Sequence, residues 1–179
     1  MELEPVKIGM SICLLGEPVR YDGGDKRDRF ITDILEPYFI FVPVCPEVEC
    51  GMTTPREPMH LVGDPENPRL VVITTGEDKT EIIHAWMGDK LSDLEKAGLG
   101  GYIFKSRSPS CGLYRIKVYD RKGHLKSNNG RGIFTRAFMD RFPGIPVEDE
   151  ERLRDPGIRE NFIKNIFKNR VPSKDHTSR

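Results

Sequence analysis

Four cysteines have the most distinctive chemistry in this sequence: Cys13, Cys45, Cys50 and Cys111. Thiolate sulfur binds zinc and iron–sulfur clusters and also acts as a nucleophile. The spacing matches neither a zinc finger or ribbon nor a ferredoxin motif, because only Cys45 and Cys50 are close together. Three roles therefore stay open for these cysteines: packing in the core, binding a metal centre, or catalysis.

The composition predicts one soluble globular domain, because 37% of the 179 residues are apolar and 31% are charged. Lys and Arg total 28, as do Asp and Glu, which argues against a protein that binds nucleic acid mainly through its net charge. No apolar run is long enough to span a membrane, and Glu2 and Glu4 stand where a signal peptide would be basic. We therefore expect a cytoplasmic protein, in which structural disulfides are rare.

Short β-type runs alternate with amphipathic helical stretches along the chain. Strands are predicted at 6–12, Phe39–Val44, 69–74, Gly101–Phe104 and 113–119, and helices at 25–36, 75–97, 131–142 and 158–168. This alternation predicts an α/β fold, with an open three-layer, mostly parallel, Rossmann-like sheet and helices on both of its faces. The nearly continuous apolar run at Phe39–Val44 suits a strand that is covered on both sides.

The predicted elements also suggest how the chain is organised. Residues 1–150 are expected to form the domain that carries the cysteines, and 151–179 a C-terminal helix with a frayed tail at 171–179. Segment 48–68 is rich in Pro and Gly and has no periodicity, so it is predicted to be a loop. A loop of that length inside a compact domain is often functional.

Three of the four cysteines follow predicted strands. Cys13 comes after the first strand, Cys45 after the second, and Cys111 lies in the loop after Gly101–Phe104. Ligands of open parallel sheets bind at the carboxyl ends of the strands, so three thiols distant in sequence could meet there. Three thiolates could hold an iron–sulfur cluster that has one iron without a protein ligand, or a zinc ion with an open position. Cys50 could be a fourth ligand, a spare thiol or a structural residue.

Four segments carry unusually specific motifs: SICLLG at 11–16 followed by VRYDG at 19–23, CPEV at 45–48, KSRSPSCG at 105–112, and NGRGIFTR at 129–136. Together, and in this order, they resemble the thiouracil desulfurase (TudS-like) family from about residue 6 to residue 142. The stretch LRDPGIRENFIKNIF at 153–167 further resembles the end of this domain in longer, two-domain relatives whose substrate is thiolated RNA.

The resemblance implies a [4Fe–4S] cluster held by Cys13, Cys45 and Cys111. Its fourth iron would bind the sulfur of a thiolated pyrimidine of the 2-thiouracil or 4-thiouracil type. The resemblance also implies that Glu47 is the catalytic acid or base and Ser108 the catalytic serine. Replacing the sulfur by the oxygen of water needs no net redox change, so we expect a non-redox desulfidation that releases sulfide.

Other interpretations stay open at this point. Relatives commonly have glycine where this chain has Cys50, so a fourth thiol could close the site and make the chain a zinc-binding module without catalysis. The likeness to the longer relatives leaves desulfidation of 4-thiouridine in RNA as an alternative, against which stands the zero net charge. By residue type alone, Glu47 could be a solvated loop acid, Ser108 a turn residue, and Lys105 and Arg107 exposed charges.

Overall fold

Two four-stranded sheets and the helices around them form the fold in a computed structural model that describes residues 5–169. The strands of this part are β1 (Val6–Ser11), β2 (Phe39–Val44), β3 (Met59–Asp64), β4 (Asn67–Val72), β5 (Gly101–Phe104), β6 (Ile116–Tyr119), β7 (Leu125–Gly130) and β8 (Val147–Asp149). The helices are α1 (Arg29–Leu35), α2 (Pro46–Glu49), α3 (Thr80–Ala97), α4 (Ile133–Arg141) and α5 (Pro156–Lys168). The predicted α/β class is confirmed.

The first sheet is parallel throughout, with the strand order β2-β1-β5-β8. All four carboxyl ends therefore lie at one edge, as the sequence predicted for the cysteine-bearing strands. The expectation that β2 is covered on both faces is wrong, because Ile40 is 46% exposed. Within residues 5–169, β2 pairs with β1 alone and is an edge strand. Pro43 fits this edge position, since proline cannot donate a ladder hydrogen bond to a further strand.

The second sheet has the order β4-β3-β6-β7 and mixes antiparallel and parallel pairs. The strand predicted at 69–74 belongs to this sheet, where β4 runs antiparallel to β3. The prediction of a loop over the whole of 48–68 is wrong, because β3 lies within it. The sequence of β3, MHLVGD, has neither a long apolar run nor a strand-like alternation. Leu61 is its one buried side chain.

The parallel sheet separates two apolar cores, because alternate residues of a strand face opposite sides. On one side Tyr102 and Phe104 pack against Phe134 and Phe138 of α4. On the other side, the buried cluster combines residues of β1 and β5 with residues of α1 and α5: Ile8, Met10, Ile103, Ile31, Leu35, Phe162 and Ile166. These packed layers hold the parallel strands, and so the edge that carries the cysteines, in place.

Asp155 caps the start of the C-terminal helix α5: its carboxylate accepts a hydrogen bond from the Ile158 N–H at 3.0 Å. Phe162 and Ile166 bury it against the parallel sheet. The domain boundary at 150 remains a prediction, and the tail at 171–179 lies outside the described residues. Between residues 5 and 169, no helix is long and apolar enough to cross a membrane.

Candidate functional site

A cavity of about 700 Å³ opens at the carboxyl edge of the parallel sheet. Its walls come from the segments that follow β1, β2, β5 and β8. Cys13, Cys45 and Cys111 all line it, at the edge where their positions after strands predicted them, and all three are buried. Cys50 is only partly buried and is not part of this lining.

Cys13 lies in a 3-10 turn, Ile12–Leu15, directly after β1. Its carbonyl oxygen accepts hydrogen bonds from the Gly16 N–H at 3.3 Å and from the Lys26 N–H at 3.0 Å. Gly16 ends the turn with a φ of 100°, a left-handed conformation that suits glycine. The chain therefore reverses within a few residues of the strand and keeps the Cys13 thiol at the sheet edge.

Cys45 is the cap residue at the start of α2, a position that the sequence specifies locally. Pro46 occupies the first helical position, where its missing N–H costs nothing and its fixed φ suits the helix. The Cys45 N–H donates to Oε1 of Glu49 at 2.9 Å, and Glu49 Oε2 lies 2.6 Å from Nζ of Lys90 on α3. These contacts hold both ends of the four-residue helix in place and so fix the position of Cys45.

Cys111 is held by a tight turn in the segment after β5. Ser108 Oγ accepts hydrogen bonds from the N–H groups of Ser110, at 3.2 Å, and Cys111, at 3.0 Å. Ser108 therefore is the turn residue that its type allowed, and its catalytic role remains a prediction. Gly132, just before α4, packs so closely that a Cβ there would lie 2.4 Å from the Ser110 oxygen, so the turn rests directly on the helix.

Burial dominates the acid–base properties of the three cavity thiols. It raises the pKa of Cys13 to about 11 and that of Cys45 to about 12. Burial first, and then the charge of Glu47, raise the pKa of Cys111 well above its ordinary value. Charge on Cys45 or Cys13 adds to this effect, so the thiols lie within electrostatic range of one another. They are protonated at neutral pH without a metal, and a metal that binds them must release those protons.

Glu47 lines the cavity next to Cys45 and is only 8% exposed, so the interpretation as a solvated loop acid is wrong. The Cys45 thiol donates to Glu47 Oε2 across 3.6 Å, and Nη2 of Arg56 lies 4.0 Å from the same oxygen. Cys50, at the far end of α2, donates its S–H to the Glu47 carbonyl oxygen at 3.3 Å. The fourth cysteine thus supports the backbone of the short helix and does not face the cavity.

Lys105 was expected to be an exposed charge, and this is wrong: its side chain is 14% exposed and its Nζ contacts the buried carboxylate of Glu150. Ser106 completes the group, with its N–H and its Oγ donating to Glu150 at 2.8 and 2.7 Å. Arg107 is exposed, as predicted, and lies 3.1 Å from Glu151. Lys105 leaves the end of β5 toward the cavity, so its aliphatic chain is covered and its charge needs a partner.

Sequence reasoning missed Glu150 and Arg56, which also line the cavity. Glu150 directly follows β8. The cysteines were singled out because they follow predicted strands, and Glu150 meets the same criterion once β8 is known. That strand, Val147–Asp149, has only three residues and offers no detectable periodicity. Arg56 lies in segment 48–68, which was predicted to be a loop of a length that is often functional, but nothing in the sequence singled it out there.

The donors at this edge fit an iron–sulfur cluster in kind, because thiolates are the usual protein ligands of such clusters. Within residues 5–169, no three His, Cys, Asp or Glu side chains are placed to hold a single metal ion. A cluster makes a different demand, because each cysteine binds its own iron at a separate corner, so the sulfurs need not meet at one point. Three buried thiols and the carboxylate of Glu47 line one cavity of about 700 Å³, so the ligand type that a cluster requires is present at this edge.

Comparisons with known proteins agree with this architecture. The model of the 2-thiouracil desulfurase family matches residues 8–150. The uncharacterized protein YbbK of Bacillus subtilis is 32% identical over 151 residues, which are 82% of this chain and 97% of YbbK. The solved structure of the [4Fe–4S]-dependent thiouracil desulfidase TudS is 31% identical and superposes with a TM-score of 0.64, covering 87% of this chain and 97% of TudS. The family match spans all the cysteines discussed above.

Proposed function

We propose that this chain, which belongs to the 2-thiouracil desulfurase family, replaces the sulfur of a thiolated pyrimidine by oxygen and releases sulfide. The substrate class proposed is a small thiolated nucleobase of the 2-thiouracil or 4-thiouracil type. One observation carries the proposal: three buried thiols from three separate strand ends and a buried carboxylate line the same cavity. The similarity to TudS supports it as well.

The proposed cofactor is a [4Fe–4S] cluster held by Cys13, Cys45 and Cys111, with one iron free of protein ligands. When bound, the cluster would supply a Lewis acid for the thiocarbonyl sulfur. The [4Fe–4S] dependence of TudS supports this cofactor. The position of Cys50, outside the cavity lining and bonded to a backbone oxygen, supports an open iron.

Glu47 is the proposed acid or base. Its carboxylate is buried in the cavity wall beside Cys45, so it is near any substrate whose sulfur is held by the metal centre. In the proposed reaction it takes a proton from the water that attacks the ring carbon. The water oxygen then forms the new carbonyl while the carbon–sulfur bond breaks and sulfur leaves as sulfide. Both protons of the water end on the carboxylate and the sulfide, and no electrons are gained or lost.

Ser108 is the proposed second catalytic residue. Its Oγ already accepts two backbone N–H groups of the turn, so its own O–H proton is left to donate. Because Ser108 lines the cavity, that proton can reach a ring oxygen or nitrogen of the substrate. The turn that holds the hydroxyl in place also holds Cys111, three residues later, so the metal ligand and the donor keep a fixed separation.

A second candidate substrate is 4-thiouridine in RNA, which the charge of the cavity lining favours. Each carboxylate that lines the cavity forms an ion pair with a cation that also lines it. These carboxylates are Asp28, Glu47, Glu150 and Glu151. Arg20 pairs with Asp22 at 3.5 Å, so Lys26 and Arg27 are the positive charges of the lining that suit a phosphate. RNA is favoured over the free base if the rate of desulfidation of thiolated RNA falls steeply with added NaCl and if free thiouracil is turned over slowly.

The decisive experiment measures iron, acid-labile sulfide and zinc in one anaerobically purified sample. We expect about four irons and four sulfides per chain, the content of one cluster. Sulfide release and conversion of 2-thiouracil and 4-thiouracil to uracil are then followed in the same sample. Stoichiometric zinc without labile sulfide, persisting after anaerobic cluster reconstitution, would instead indicate a zinc-binding module and overturn the proposal.

Glu47→Gln tests the acid–base role separately from the cluster. This variant should keep wild-type iron and sulfide content and lose turnover by about 10²- to 10⁴-fold. Glu160→Gln is the matched control, because Glu160 is exposed on α5 and does not line the cavity. Wild-type turnover in Glu47→Gln would remove Glu47 from the mechanism while leaving the cofactor assignment intact.

A further inference from the structure

Arg56 is a partly buried cation in the cavity wall, and the proposed reaction gives it no role. It lies between α2 and β3, and its side chain is 10% exposed. Its Nη1 donates to the backbone oxygens of Val19, at 3.0 Å, and Thr53, at 3.3 Å, and its backbone N–H donates to the Tyr21 oxygen at 2.7 Å. Arg56 thereby joins the loop that follows the first cysteine to the loop that follows the second.

The charge of Arg56 faces that of Glu47. Within the described residues, Glu47 is the only carboxylate within 4.0 Å of the Arg56 guanidinium, with Nη2 at 4.0 Å from Oε2. The two side chains are 10% and 11% exposed, so water screens their attraction less than at a surface. Arg56 Nε is buried and has no hydrogen-bond partner within residues 5–169, so backbone oxygens do not satisfy the whole guanidinium.

We infer that Arg56 is a positioning residue for Glu47: its guanidinium, fixed to two loop carbonyls, holds the Glu47 carboxylate at the cavity wall. The inference deepens the proposed function and rests on it. A Glu side chain has three rotatable bonds, and a base displaced by about 1 Å can lose about 10²-fold in rate. Within residues 5–169, the other hydrogen-bond partner of this oxygen is the Cys45 thiol, a weak donor at 3.6 Å that loses its proton when Cys45 binds a metal.

Arg56→Met tests the inference in the cluster-loaded enzyme, since methionine keeps much of the aliphatic volume and removes the guanidinium. We expect at least a tenfold lower kcat, with KM changed less than kcat and with the iron and sulfide content of the wild type. Arg56→Lys keeps the positive charge but lacks the planar guanidinium with its several N–H donors, and it should recover part of the lost kcat. Arg136→Met is the matched control, because Arg136 also bonds a loop oxygen and a carboxylate but lies outside the cavity.

The double variant Arg56→Met/Glu47→Gln shows whether Arg56 acts through Glu47. If it does, adding Arg56→Met to Glu47→Gln should lower the remaining kcat by less than about twofold, since the group being positioned is already disabled. A readout independent of turnover is the thermal unfolding midpoint of the metal-free variants. The two single substitutions should lower Tm by amounts whose sum exceeds the loss in the double variant.

Three outcomes separate the inference from the proposed function. If the wild type releases no sulfide from a thiolated pyrimidine, the proposed function fails and the inference fails with it. If the wild type is active but Arg56→Met has wild-type kcat, or if the two kcat losses multiply in the double variant, the inference alone is overturned. Loss of the cluster in both Arg56→Met and Arg56→Lys would also overturn it, because Arg56 would then hold the loops and not the carboxylate.

Discussion

The ion pair between Lys105 and Glu150 offers a quantitative test of how the cavity wall is held together. The two side chains are 14% and 7% exposed, and Glu150 also accepts hydrogen bonds from the N–H and the Oγ of Ser106 at 2.8 and 2.7 Å. Glu150→Ala would leave a buried ammonium and a buried N–H without their acceptor. Breaking a buried ion pair costs roughly 3–5 kcal/mol, and orphaning a buried donor costs about 1–3 kcal/mol.

The sum of these two costs is reduced by what Lys105 retains. Its Nζ still donates to the Ser106 carbonyl oxygen at 3.0 Å and to the Ser106 Oγ at 2.9 Å, and it can turn toward water in the cavity. We therefore expect Glu150→Ala to lower the free energy of unfolding by about 3–4 kcal/mol. Glu150→Gln keeps an acceptor for the Ser106 N–H and should lose less.

The assay is urea denaturation of the metal-free protein, followed by circular dichroism and extrapolated to zero urea. Glu95→Ala is the matched control: Glu95 pairs with Arg141 at the surface, where the side chains are 55% and 49% exposed. Such a surface pair contributes about 0–1 kcal/mol. A loss in Glu150→Ala no larger than that in Glu95→Ala would refute the reasoning, because burial would then add nothing to the pair.

Three further predictions concern the proposed cysteine ligands and the turn that carries Cys111. Cys50→Ser should keep the wild-type iron and labile-sulfide content after anaerobic reconstitution, whereas Cys45→Ser should lose most of it; equal losses would contradict the assignment. Ser108→Ala should lower the free energy of unfolding by about 1–2 kcal/mol, because two backbone N–H groups lose their acceptor, and urea denaturation would show this. Gly132→Ala would place a Cβ 2.4 Å from a backbone oxygen of the cysteine turn and should cost about 1–3 kcal/mol together with reduced iron content. Gly144→Ala, where nothing lies within 4 Å of the new Cβ, should cost far less, and similar losses in both glycine variants would contradict the packing argument.

Local patterns in the sequence were sufficient for three of the four strands of the parallel sheet and for the place of the cysteines. The strands β2 and β5 have the predicted bounds, because each is a dense apolar run between turn residues. Three cysteines that each follow such a strand must lie at one edge once the strands are parallel. Their common cavity therefore followed from strand order and direction, with no knowledge of any side-chain contact.

The second sheet could not be predicted in the same way. Its strand β3 has a single buried side chain, Leu61, and is stable only because it pairs with β4 on one side and β6 on the other. Hydrogen bonds between strands leave no periodic mark in the sequence when few side chains are buried. The predicted helix at 75–97 begins later, at Thr80, for a related reason: the Val72 N–H donates to the Glu77 oxygen, so the chain first turns back on β4.

The sequence by itself determined which strand ends carry thiols and which motifs mark them. Only the tertiary structure decided that Glu47 is buried, that Cys50 bonds a backbone oxygen outside the cavity, and that Lys105 has a partner in Glu150. Burial and pairing depend on groups far apart along the chain, such as Lys105 and Glu150, which are 45 residues apart. A residue's type fixes what it can donate, accept or bind, but its surroundings, set by the packing of distant elements, decide which of these it does.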